Sequence, residues 1–174
     1  MAYIFIDENQ SCQFDFSAAI WATNELNTIY HNAKVQLSDV DFIVETETEI
    51  LFIEYKNAKY GNMAFPERFK PSEDKTINKV VRKYYDSYMY VKALGKDEHK
   101  RLIYVYILEY PQGDLVSRKF VRERMAGKLP FSLQRQEHFQ QNWIDAVVVL
   151  NIEEWNDLYS QFPATILATT GDVD

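Results

Sequence analysis

The stretch Val40-Asp-Phe-Ile-Val-Glu-Thr-Glu-Thr-Glu-Ile-Leu-Phe-Ile-Glu-Tyr-Lys56 reads as two strands rich in Val, Ile, Phe and Tyr around a polar turn. A turn centred on Glu47 and Thr48 pairs the strands antiparallel and sets Asp41 directly opposite Glu54. Directly opposed side chains lie about 5 Å apart. Two carboxylates that close repel by about 3 kcal/mol at an effective dielectric of about 20. A cation between them relieves the repulsion, and oxygen-only ligands suit Mg²⁺ or Mn²⁺. Lys56 shares the face of Glu54 by the strand period of two. Two acids and an ammonium on one sheet face suit phosphate chemistry.

A purely structural account of the same residues exists. In this register Lys56 lies opposite Asp39, so a cross-strand ion pair would explain it. Glu45, Glu47 and Glu49 read as a solvated turn. The strands, however, are apolar on both faces, with Phe42, Val44, Leu51, Ile53 and Tyr55 on one and Ile43 and Phe52 on the other. Such strands are covered on both sides, and acids within them need partners.

Val40-Asp41, a strand, a turn and Ile53-Glu54-Tyr55-Lys56 resemble the signature of the PD-(D/E)XK nucleases, the restriction-endonuclease-like superfamily. Val40 stands where that signature usually has proline. The resemblance covers about residues 14 to 110, and beyond them no matching feature appears. It implies an α/β fold with an αβββαβ core and a central mixed sheet of four to five strands flanked by helices. It also implies metal-dependent hydrolysis of phosphodiester bonds, of DNA in preference to RNA. Asp41, Glu54 and the main-chain carbonyl of Tyr55 would then hold Mg²⁺ or Mn²⁺. Lys56 would orient or help deprotonate the attacking water, or offset charge on the phosphate. Replacing Asp41 by Ala would abolish cleavage and leave the fold intact or slightly stabler. Members of the family often carry a glutamate on the first helix near the metal, which points to Glu25. Homodimers are common among them. A non-catalytic nucleic-acid-binding or protein-interaction module of the same fold is the alternative.

Composition sets the frame. A chain of 174 residues with 47% apolar content suits one domain with a real core. Residues 1–163 read as that domain and 164–174 as a flexible tail. No segment is apolar enough to span a bilayer, and the first residues lack the basic region and cleavage site of a leader. Cys12 stands alone, which points to a reducing, cytoplasmic setting. His31, His99 and His138 have no zinc-ligand spacing and read as surface residues. The five glycines are scattered, so no phosphate loop or nucleotide cofactor is implied.

The net charge of −7 is unevenly spread. Residues 1–53 carry one basic and nine acidic side chains, and residues 136–174 carry none and seven. Residues 54–135 carry eighteen basic and ten acidic. Clustered cations can track a phosphate backbone even on an acidic protein. Lys59, Arg68, Lys70, Lys79, Lys83, Arg118, Lys119 and Arg122 are the candidate nucleic-acid contacts. The family resemblance also implies that the long helix after residue 73 presents a basic or amide residue to the site, for which Lys79 and Lys83 are the candidates.

In chain order, Phe14 to Ala33 reads as a helix with Ala18, Ala22, Leu26 and Ile29 on its apolar face, and Lys34 to Leu37 as a short strand. After the hairpin comes a long loop, 57–74, of the kind that carries function or moves. A helix follows from about Glu73 to Leu94, ended by Gly95, with Ile77, Val80, Val81, Tyr84, Tyr88 and Val91 as its stripe. Arg101 to Tyr110 is a central strand parallel to a neighbour. Leu115 to Ala126 is a basic helix, a backbone clamp or a surface helix. Ile144 to Leu150 is a buried strand, and Asn151 with Glu154 forms a capping box for a last helix.

Overall fold

The computed structural model describes residues 2–59 and 63–167. The elements run β1 (Ile4–Ile6), β2 (Cys12–Asp15), β3 (Trp21–Thr23), α1 (Leu26–Asn32), β4 (Phe42–Glu45), β5 (Glu49–Asn57), α2 (Asp74–Ala93), β6 (Arg101–Glu109), α3 (Leu115–Ala126), β7 (Ala146–Leu150), α4 (Ile152–Leu158) and β8 (Ala164–Ile166). Five strands make a mixed sheet in the order β3-β4-β5-β6-β7. Its first three strands are antiparallel neighbours, and β5, β6 and β7 run parallel. A parallel pair needs a crossover, and α2 and α3 supply the two. A three-stranded antiparallel sheet, β1-β2-β8, forms separately.

The hairpin pairs as its sequence dictates. Phe42 faces Ile53, Val44 faces Leu51 and Glu45 faces Ile50, a register that carries Asp41 onto Glu54. The Thr46 hydroxyl accepts the N–H groups of Thr48 and Glu49 and fixes the turn. Each sheet face has its own core. Ile43, Ile50 and Phe52 pack with Ile77, Tyr84, Tyr104 and Val121 under α2 and α3. Phe42, Val44, Leu51, Ile53 and Tyr55 pack with Phe14, Phe16 and Trp155 toward α4 and the small sheet. Tyr84 and Tyr88 belong to the first core. Asn151 caps α4 with the full reciprocal box to Glu154, and Gly95 ends α2 at φ +65°, a left-handed conformation open to glycine at no steric cost.

Four expectations need correction. Residues 14–33 are not one helix: Cys12, Phe14 and Phe16 are buried at a period of two, β3 joins the main sheet as an edge, and α1 keeps only seven residues. Lys34–Leu37 forms no strand; β3, which precedes α1 in the chain, is the third antiparallel strand. Ala164–Ile166, within the expected tail, pairs with β2, while residues 168–174 lie outside the described residues. Glu45 is buried rather than solvated, held by the ammonium groups of Lys96 and Lys100 at 2.6 Å each. No helix among the described residues is long and apolar enough to cross a membrane.

Candidate functional site

Asp41 immediately precedes β4, and Glu54 sits in β5 on the face covered by α2. The Tyr55 main-chain N–H donates to Asp41 Oδ2 at 2.7 Å, which pins the carboxylate against the end of the hairpin. The third member comes from α2. Lys83 Nζ lies 2.7 Å from both Glu54 oxygens and 4.0 Å from Asp41 Oδ1. The two acids therefore converge on one ammonium. A strand residue directs its N–H and C=O to the same edge, so the Tyr55 carbonyl lies on the Asp41 side, past the last β4 pairing.

Burial sets the electrostatics. Glu54 is 7% exposed; loss of solvent, then the Asp41 charge, push its carboxyl from 4.5 up to about 8 against the pull of Lys83. Burial also raises Asp41, opposed by Lys83 and the Tyr55 N–H. Burial works against the charge on Lys83, yet Glu54 and Asp41 together hold it above its ordinary range. Side-chain exposure is 28% for Asp41 and 9% for Glu54, so Asp41 is the better solvated carboxylate. The same environment thus favours a proton on Glu54 and the charged form of Lys83, and it raises Asp41, which stands less directly against that ammonium.

Two cavities meet at this cluster, and Asp41 and Lys83 line both. One, about 670 Å³, is also walled by Glu54, Lys56, Phe65, Arg68, Phe69, Lys70, Lys75 and Lys79, with six cationic against four acidic residues around it. The other, about 450 Å³, is lined by Asp7, Glu8 and Asp39, with Lys83 its lone cationic residue. The acids thus sit between an anion-attracting side and a cation-attracting side.

Lys56 lines the first cavity but touches neither acid. Its ammonium lies 5.9 Å from the centre of the Phe69 ring, and no ion pair to Asp39 forms among the described residues; Asp39 accepts instead from Asn27. Glu25 stands at the start of α1 in an exposed position, without a side-chain capping hydrogen bond. It lines neither cavity, because the long helix expected to carry it inward does not form.

The expected nucleic-acid contacts divide. Arg68, Lys70, Lys79 and Lys83 line the cation-rich cavity, although Lys70 also reaches Glu73 at 3.4 Å. Lys59 pairs with Glu109. Lys119 and Arg122 are exposed on α3, away from both cavities. Arg118 is no clamp: it is 4% exposed, grips Glu154 through two nitrogens and donates to the Gly113 carbonyl. Arg118→Ala removes a buried guanidinium that bridges the partly exposed Glu154 and the Gly113 carbonyl, and is expected to cost about 2 kcal/mol. Arg122→Ala is expected to stay within about 0.5 kcal/mol; urea melts of the two variants check the contrast.

Of the two basic residues on α2 expected to reach the site, Lys83 does: it falls between Val80, Tyr84 and Ser87 on the sheet side of α2 and bridges both acids, whereas Lys79 stays exposed on the cavity wall. Comparison with protein-family models, with curated proteins and with solved structures finds no match.

Proposed function

We propose that the protein is a metal-dependent hydrolase of phosphodiester bonds in nucleic acid, built on a restriction-endonuclease-like core. The observation that carries this reading is the convergence of Asp41 and Glu54 on one cation at the floor of a cation-rich cavity. The parallel β5–β6 pair joined by α2 supports the fold assignment. The preference for DNA over RNA rests on the family resemblance alone. The donors fit a hard divalent ion: two carboxylates and the Tyr55 carbonyl, all oxygen. Among the described residues no group of three or more His, Cys, Asp or Glu that could hold a metal forms, so water and phosphate oxygens would have to complete the coordination. Bound there, Mg²⁺ or Mn²⁺ polarises the phosphoryl group and acidifies a bound water.

The protein's own groups do the rest. Asp41, held by the Tyr55 N–H, and Glu54 fix the position of the ion. Lys56, on the cavity wall, meets the phosphate or orients the attacking water. Lys83 balances the acids in the free protein, and with a metal held by those acids its ammonium would offset charge on the phosphate. Supercoiled, linear and single-stranded nucleic acids incubated with and without Mn²⁺, beside Lys56→Ala, test the reading. Cleavage only with Mn²⁺, reduced in the variant, is expected. No cleavage of any substrate overturns it.

Metal binding must expel the Glu54 proton, so apparent Mn²⁺ affinity is expected to rise up to about tenfold per pH unit below about pH 8. The effect on the metal-free fold has the opposite sign. Between 4.5 and about 8 the folded protein keeps a proton on Glu54 that the unfolded chain has lost, so this contribution falls as pH rises through that window. Thermal melts should show Mn²⁺ stabilising more at pH 8 than at pH 6. A non-catalytic binding module is the second reading, favoured by the Lys83 ammonium, which already sits against both acids where a metal would bind. A melt indifferent to Mn²⁺ at pH 8 selects it.

A further inference from the structure

We propose that the cation-rich cavity selects an unpaired strand of nucleic acid, with a base stacked on Phe65. The proposal rests on the phosphodiester reading and names its substrate class. Phe65 is 55% exposed at the rim of the cavity that holds Asp41 and Glu54. A single exposed aromatic ring is ordinary, but this one is part of a pair. The Arg68 guanidinium lies 4.4 Å from its ring centre, and the Arg68 side chain is itself 75% exposed. An exposed phenyl ring and an exposed guanidinium plane are the two surfaces on which unpaired bases stack.

The cations beside this platform are available to a backbone. Lys75 and Lys79 are exposed on α2, line the same cavity and make no ion pair among the described residues. Farther in, Lys56 is set against Phe69. Bases in a duplex stack on one another and leave no free face for a side chain, whereas every unpaired base offers one. The acids point the same way. Glu54 is 7% exposed and lines the cavity of about 670 Å³, so the scissile phosphate must enter a space of small-ligand size to reach it. A flexible single strand can thread a phosphate into that space.

Fluorescence anisotropy with labelled oligothymidylate and with a hairpin duplex, in EDTA at low salt, reads binding without cleavage. The single strand is expected to bind at least about tenfold tighter than the duplex. Phe65→Ala should weaken the single strand about tenfold and leave the duplex within about twofold, since losing one stacked base removes nothing from a duplex. Phe65→Trp should restore binding and Phe65→Leu should not, which separates stacking from apolar bulk. Unchanged circular dichroism would show that each variant folds. Equal or tighter duplex binding, or full binding by Phe65→Leu, overturns the proposal. Preferential Mn²⁺-dependent cleavage of duplex overturns it and leaves the hydrolase reading standing. Stacking-dependent strand binding without cleavage under any metal sinks the hydrolase reading and upholds the strand preference.

Discussion

Asp41→Asn is expected to lower Mn²⁺-dependent cleavage by about a thousandfold, the upper end of what one preorganised electrostatic group supplies, and to leave the melting temperature nearly unchanged. The amide oxygen keeps the acceptor for the Tyr55 N–H, 2.7 Å away, while the charge that would hold the metal is gone. Removing that charge also relieves Glu54, whose carboxyl Asp41 pushes upward. Asp41→Ala is the poorer experiment. It strands the Tyr55 N–H at the end of the hairpin, and an unsatisfied donor costs about 1–3 kcal/mol. That cost corrects the sequence-based expectation that alanine would leave the fold as stable or stabler. Calorimetry and a plasmid-nicking assay on both variants separate the effects. Cleavage by Asp41→Asn at the wild-type rate ends the assignment of Asp41 as a metal ligand.

What the sequence made legible was local. The hairpin register follows from alternating apolar residues around a short polar turn, and a slip of one residue would have turned every side chain to the opposite face. Helix α2 was readable from its stripe and from Gly95, and α4 from its capping box. The failures share one cause, pairing across long separations. The spacing of Ala18, Ala22 and Leu26 imitates a helix, but Phe14 and Phe16 bury at strand period because β1 and the distant β8 flank β2. Glu45 reads as a turn residue until Lys96 and Lys100 arrive from beyond α2. Arg118 reads as a surface cation, although its spacing from Val121 and Met125 already put it on the apolar side of α3. In the site, the acids were legible because one hairpin brings them together. Their cation was legible only as one of two candidates, Lys79 and Lys83, because which of them meets the acids depends on how α2 docks on β5.

That docking makes Lys83 the residue with the largest expected effect on stability. Lys83→Met leaves Glu54 buried without its cation, and breaking such a pair costs about 3–5 kcal/mol. The loss must depend on pH. Glu54 in the wild type titrates at about 8 when folded and near 4.5 when unfolded, and Lys83 pulls the folded value down. Without Lys83 the folded value climbs further, so stability falls with rising pH over a wider window. At pH 9 the wild-type ammonium is still charged, since Lys83 is held above 10.5, and the gap between the proteins should be near its maximum. Below pH 4.5 Glu54 carries a proton in both states of both proteins, and the gap should shrink to the loss of packing and hydrogen bonds. Adding Glu54→Gln to Lys83→Met removes the stranded charge and should restore most of the stability at pH 9, giving a large coupling in a double-mutant cycle. Lys56→Ala, which touches neither acid, should melt like the wild type throughout. A Lys83→Met loss of equal size at pH 4 and pH 9 would show that the lysine serves as packing, and that the acids do not depend on it for their charge balance.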